Sequence, residues 1–177
     1  MDAISQARLS LVHPALASKI GQMADMLADE FSFRVTQGVR SWNEQAALYA
    51  QGRESLAQVN AMRLAVNWAP ITDVQNVVVT HAAPGYGWHN FAMAVDTVPD
   101  DTTLPGFQPD WNESHPAWQR MIDVGTSLGL VNGKSWRDEP HFQLTGRFPV
   151  TPTDEVRQLF KDGGTQAVWE SSGLSLV

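Results

Sequence analysis

The sequence contains no cysteine. A disulfide framework is therefore excluded, and stability has to come from packing. Any metal site must draw on the five histidines and nineteen carboxylates instead of thiolates. Long apolar runs are also missing: nothing approaches the roughly 18 residues a membrane-spanning helix needs. Positive charge is scarce, with 12 Lys and Arg against 19 Asp and Glu, for a net charge of -7. The basic residues are scattered, so the clustered cations that bind phosphate backbones are absent, and no nucleic-acid partner is expected. The same deficit argues against adhesion to an anionic envelope by charge alone. The opening stretch MDAISQARLSLVHPAL lacks a basic segment followed by a long apolar one, so no cleaved signal peptide is expected. A target beyond the cytoplasm would then be reached only with the help of another agent. Internal repeats and low-complexity segments are absent too.

What is present is a chain of 177 residues, 43% hydrophobic and 18% charged, which fits one globular domain with a real core. Helical spacing of Leu16, Ile20, Met23, Met26 and Leu27 predicts an amphipathic helix between about His13 and Phe31. FRVTQGVRS predicts a short strand ending near Arg40. Ser41 with Glu44 three residues on forms a capping-box pattern, starting a helix that stops at Gly52. Residues 53–67 repeat the helical spacing. VVVT (residues 77–80) predicts a short buried strand, AAPGYG a turn, and WHNFAMAVDTV a further strand. Residues 100–115 predict a loop. PAWQRMIDVGTSLGL predicts a helix with Pro116 in its first turn and Gly129 at its end. NGKSWRDE predicts a turn and PHFQLT a final core strand. The tail holds two helical stretches, TDEVRQLFKDG and TQAVWES. These elements make an α+β domain, with a small antiparallel sheet flanked by helices over residues 1–148 and a helical extension over 149–177 packed on it.

Three histidines have ordinary structural readings. His13 precedes a proline at a helix start, where a polar side chain caps or faces solvent, and His115 precedes Pro116 in a polar loop. His81 sits close to the glycine turn and reads as structural. His89 and His141 differ in having carboxylates at suggestive spacings. His89 and Asp96 are seven apart, an odd separation that puts them on opposite faces of a straight strand. Both can face one metal only if the chain turns between them, or if His89 still lies in the loop after Gly85 and Gly87. In DEPHFQL, Pro140 imposes extended geometry on Glu139, so His141 enters a strand. Asp138 and Glu139 both qualify as the carboxylate that takes a proton from an attacking water. Spacing does not choose between them.

RSWNEQAALYAQGR, HNFAMAVD and SLGLVNGKSWRDEPHFQL, in this order, resemble the zinc peptidases of the D-Ala-D-Ala carboxypeptidase and L-alanyl-D-glutamate endopeptidase family. The nearest likeness is to phage endolysins. The resemblance covers about residues 33–145 and implies zinc in a cleft on the sheet. Its implied ligands are His89, Asp96 and His141, and it makes Asp138 the general base. Arg40 is implied to steady the substrate carbonyl and the oxyanion, as a fixed, always-charged donor fork suits. Ser41 and Gln45 match positions that shape the helix behind it. Three departures stand out: Ala92 where the family has glycine, a change a strand should tolerate; Gly87 where a serine is common; and a longer stretch 53–67. Of the tryptophans, Trp88 and Trp136 (with Tyr86) adjoin the ligand motifs and are candidates for a groove, whereas Trp68, Trp111 and Trp118 read as packing.

The implied function is hydrolysis of the L-Ala–D-Glu bond of peptidoglycan stem peptides, causing lysis of a bacterial host. The alternatives are removal of terminal D-Ala by a D,D-carboxypeptidase or dipeptidase, and a non-catalytic zinc-containing wall-binding module. A monomer is expected, made in the host cytoplasm and released to the wall through a separate membrane-permeabilising protein.

Overall fold

Asp2 caps the first helix, α1 (Ala3–Leu9), by accepting from the Ser5 N–H at 2.8 Å, and it pairs with Arg34 Nε at 2.5 Å. This helix has no counterpart in the spacing analysis. The next, α2 (Pro14–Leu27), begins where His13 turns its Nδ1 back to accept from the Ala15 N–H at 3.1 Å. Leu16, Ile20, Met23 and Leu27 are fully buried, as their spacing requires, but Met26, expected on the same stripe, is 52% exposed. The computed structural model describes residues 1–100 and 106–176. The loop expected over residues 100–115 therefore lies partly outside the described residues.

Strand β1 (Phe33–Gln37) leads to α3 (Trp42–Ala50), whose capping box is complete: Glu44 N–H donates to Ser41 Oγ, and Ser41 N–H donates to the Glu44 carboxylate. A second capped helix, α4 (Leu56–Ala65), packs against it. Strand β2 (Ala94–Pro99), helix α5 (Pro116–Ser127), and strands β3 (Val131–Gly133) and β4 (Asp138–Gln143) follow, then α6 (Asp154–Ser171). The four strands form one antiparallel sheet in the order β1-β2-β4-β3. The chain is thus a single α+β domain with a small antiparallel sheet flanked by helices. Among the described residues no helix is long and apolar enough to cross a membrane.

Two sequence expectations are corrected. VVVT does not join the sheet: Val77, Val78 and Val79 are 45–55% exposed in a run with no ladder partner. WHNFAMAVDTV does not run as one strand. Trp88–Phe91 forms a tight 3-10 turn, and the strand starts only at Ala94. The turn ends on Ala92 in the left-handed conformation (φ 56°), which a side chain adopts only at a cost. A glycine would adopt this conformation at no such cost, and strand tolerance was the wrong ground for accepting alanine, since Ala92 ends a turn and lies outside the strand. The tail behaves as its two stretches suggest, since α6 breaks at Gly163 and Gly164.

Strand alternation splits the sheet's side chains into two sets. The cross-strand pair Val95 and Phe142 is buried with α2 and α5, against Met23, Trp118 and Met121. The neighbouring pair, Asp96 and His141, therefore faces the other way. A second cluster, of Trp88, Phe91, Met93 and Phe148, is covered by α6 through Val156 and Val168. Trp88 and Trp118 are core residues, whereas Trp111 is 58% exposed.

Between β3 and β4 the register slips: Asn132 pairs with Phe142, but the next residue, Gly133, pairs with Asp138. The residues between are accommodated as an irregularity in β4. Gly133 is required there, since a Cβ would lie 2.2 Å from the Asp138 carbonyl oxygen. Gly21, mid-way along α2, meets nothing within 4 Å at the same imagined position. Urea unfolding should give opposite signs for the two alanine substitutions. Gly21→Ala is expected to gain up to about 1 kcal/mol from helix propensity. Gly133→Ala is expected to lose about 1–3 kcal/mol from the forced overlap.

Candidate metal centre

The antiparallel register alone brings two of the proposed ligands together, because Asp96 and His141 are direct cross-strand partners. The third, His89, arrives from the 3-10 turn before β2, so the odd spacing to Asp96 is absorbed by that turn. Buried polar contacts fix the turn in place. Arg40 N–H donates to the His89 carbonyl at 3.1 Å, Asn90 Nδ2 donates to the Arg40 carbonyl at 2.8 Å, and Gly85 N–H donates to Asn90 Oδ1 at 2.8 Å.

The ring nitrogens reveal what the site is built for. His89 Nδ1 lies 2.8 Å from the Gly38 carbonyl, which can only accept, so Nδ1 carries the hydrogen and Nε2 is left as a bare donor of electrons. His141 Nε2 lies 2.9 Å from Gln143 Oε1, while Gln143 Nε2 donates to the Val150 carbonyl at 2.9 Å. The amide is thus oriented to accept from His141 Nε2–H, leaving Nδ1 bare. His89 Nε2 and His141 Nδ1 stand 3.2 Å apart, and Asp96 Oδ1 is 3.1 Å from the first and 3.4 Å from the second. Two lone pairs and a carboxylate at such distances repel unless a cation sits among them. Ligand bonds of roughly 2.0–2.1 Å in a tetrahedron put ligand atoms about 3.3 Å apart, which matches this triangle. Three ligands of this kind, with one tetrahedral corner left for water or substrate, fit a hydrolytic zinc site. Among the described residues this is the one group of three or more His, Cys, Asp or Glu side chains whose ligand atoms converge in this way.

Arg40 closes the other side of Asp96. Its Nη2 donates to Asp96 Oδ2 at 3.2 Å and its Nη1 to Gln45 Oε1 at 3.1 Å, while Gln45 Nε2 donates to the Ala82 carbonyl at 2.7 Å. With Oδ2 engaged, Oδ1 is the oxygen free to face an ion. Gln45, expected only to shape the helix, in fact links Arg40 to the loop across the cleft. Burial alone would raise the Asp96 carboxyl, but the neighbouring His89 and His141 hold it well below the usual carboxylate range. Burial pushes His89 down despite Asp96. At His141 burial is outweighed by the Asp96 hydrogen bond and charge, and its proton affinity goes up.

Asp138 Oδ2 lies 3.9 Å from His141 Nδ1, on the rim of the same cleft. Partial burial and the Asp96 charge push its carboxyl up from the ordinary value. Glu139 does not line the cleft. Simple alternation along β4 would put Glu139 on the side of His141, but the register slip between Asn132 and Gly133 interrupts that alternation. The cleft holds about 420 Å³ and is walled by Leu48, Val79, Tyr86, Trp136 and Val150 around the ligands. Trp136, whose ring centre is 6.0 Å from that of His141, is a wall of the site. Gln143, Asn90 and the Gly38 carbonyl were not found from sequence. Gln143 had a signal, since it lies two residues beyond His141 on the same strand face; the other two had none.

The curated L-alanyl-D-glutamate endopeptidase CwlK of Bacillus subtilis (strain 168) is 26% identical over 117 residues, which is 62% of this chain and 59% of that protein. This agrees with the family order of the three motifs and with the ligand triangle. The chain is similar to that peptidase over this span. No family model matches the chain. It spans about three fifths of the length of the curated relative it matches. Among solved structures, a variant of the vancomycin-resistance D,D-pentapeptidase VanY in complex with Zn(II) is 15% identical at a TM-score of 0.48, covering 89% of this chain and 83% of that one. VanYB in complex with D-Alanine-D-Alanine is 16% identical at a TM-score of 0.48, covering 93% and 80%.

Two measurements check the site. Gln143→Met should weaken zinc retention about 10–100-fold in competition with a chelator, because the His141 ring loses its orienting acceptor. Zinc affinity should also fall with falling pH. His141 in the metal-free protein binds its proton more tightly than an ordinary histidine (6.5), so protons begin to displace the ion above that value. A pH-independent affinity between about pH 8 and pH 5.5 would contradict the ligand assignment.

Proposed function

We propose that this protein is a zinc endopeptidase cutting the L-Ala–D-Glu bond of peptidoglycan stem peptides. The observation that carries the reading is the convergence of His89 Nε2, Asp96 Oδ1 and His141 Nδ1 with the Asp138 carboxylate at their edge. The name of the curated relative favours the L-Ala–D-Glu bond, as does DEPH, since D,D-carboxypeptidases more often carry glutamate and tryptophan before the last histidine.

His89, Asp96 and His141 would hold the zinc, which supplies polarisation of the scissile carbonyl and a lower pKa for the attacking water. Asp138 accepts a proton from that water and returns it to the leaving amine. Its raised proton affinity suits both halves of this exchange. Arg40 fixes the far oxygen of Asp96, and from its place in the cleft wall it supplies positive charge against the oxyanion. The low-polarity walls, Trp136 and Leu48, thin the water around the reacting bond.

Residues 1–148 form the catalytic unit in this reading, and 149–177 an extension packed on it. Supporting this division, Trp169 Nε1 donates to the Phe91 carbonyl at 3.0 Å, and Phe160 stacks on Trp42 at 5.6 Å. The protein acts as a monomeric endolysin on the wall of a bacterial host, reached through a membrane lesion made by a partner.

Digestion of purified sacculi with mass spectrometry of the muropeptides tests the bond. A new N-terminal D-glutamate is expected; loss of terminal D-alanine would instead make the enzyme a D,D-carboxypeptidase. His89→Ala should lose both zinc and turnover. Asp138→Asn should keep zinc and lose at least about 100-fold in kcat, whereas Glu139→Gln should keep both. Full activity in Asp138→Asn would remove that residue from the mechanism.

A further inference from the structure

Residues 77–80, expected as a buried strand, instead form a pinned ledge beside the metal cleft. Asn76 anchors one end: its Oδ1 accepts from the Gly52 N–H at 2.9 Å and its Nδ2 donates to the Glu54 carbonyl at 3.2 Å. The other end is held at Thr80. Arg53 Nη2 donates to the Thr80 carbonyl at 3.0 Å, and Gln45 Nε2 and the Ala82 N–H reach Thr80 Oγ1 at 3.5 and 3.2 Å. Between these anchors the main chains of Val78 and Val79 make no hydrogen bond among the described residues. The amide of Val78 lies against Gly52, where a Cβ would come within 2.3 Å of its nitrogen. Val79 is left as the residue that both lines the cleft and has uncommitted main-chain groups. Val77, Val78 and Val79 are all exposed, and of the three it is Val79 that lines the cleft.

A segment anchored at both ends, with apolar side chains and unpaired N–H and C=O groups between, is what an extended peptide needs to add itself as a strand. A peptide lying along it would also run past the ligands, since Val79 and Thr80 share the cleft with His89 and Asp96. We infer that the main chain of the Val77–Thr80 ledge, at Val79 above all, is the docking edge for the stem peptide. The occupant follows from continuity with the metal cleft, and the inference rests on the proposed peptidase reading. Gln45 gives the ledge a second task. It reaches Thr80 and Ala82 on one side and Arg40 on the other, and Arg40 in turn holds Asp96. The peptide's support and the metal ligand are therefore parts of one hydrogen-bonded frame.

The test uses the disaccharide-tetrapeptide released from purified sacculi as probe. In zinc-loaded Asp138→Asn protein, the probe should slow exchange of the Val79 amide at least tenfold while leaving exposed amides near Val74 unchanged. In the otherwise native enzyme, Val79→Pro, which removes the donor, should raise KM at least tenfold with kcat within about twofold and zinc content unaltered. Val74→Ser, outside the cleft, should change neither. Unprotected Val79 with saturating probe overturns the inference whether or not Val79→Pro folds. So does a Val79→Pro enzyme of unchanged KM. Neither result touches the peptidase reading, which would fall separately if the native enzyme failed to cleave any muropeptide.

Discussion

The architecture depends on one cross-strand pair. Asp96 and His141 face each other in the antiparallel ladder of β2 and β4, and the flanking pair Val95 and Phe142 is sealed into the core between sheet and helices. A slip of one residue would place valine and phenylalanine in the cleft and bury the acid and the imidazole. The cost of burying those polar groups opposes the slip, and so does the loss of apolar contact around Phe142. The same hydrophobic packing that holds the domain together therefore also sets the ligand geometry.

Around that pair the site is stiffened by groups whose hydrogen-bonding capacity is spent outward. Gly38 and Gln143 take the outer nitrogens of the two rings, and Arg40 takes the outer oxygen of Asp96. What remains inward is electron-rich and unpaired, an arrangement stable only around positive charge. Without an ion there, the hydrogen bond and charge of Asp96 raise the proton affinity of His141 against the effect of burial.

Much of this was legible in the sequence, for identifiable reasons. The buried stripe of α2, the capping box at Ser41 and the proline starts of α2 and α5 are local signals, and local physics decided them. The His89 loop was one of two geometries that the odd spacing to Asp96 allowed, and the 3-10 turn realises it. The VVVT segment misled because β-branched residues suit any extended run, while a place in a sheet needs a partner that composition does not reveal. Asn90 and the Gly38 carbonyl were invisible because their roles arise from tertiary contacts across about fifty positions of chain. The choice between Asp138 and Glu139 needed the register between β3 and β4, which no spacing within DEPH contains.

That register has a further consequence. Asp138 and Glu139 are adjacent carboxylates of nearly equal chemistry, yet only Asp138 lines the cleft, beside a β3–β4 register that leaves no room for a Cβ on Gly133 of the other strand. The information that picks one acid for the cleft is thus written outside the motif that carries it. Copying DEPH onto a foreign scaffold would transfer the letters without the selector.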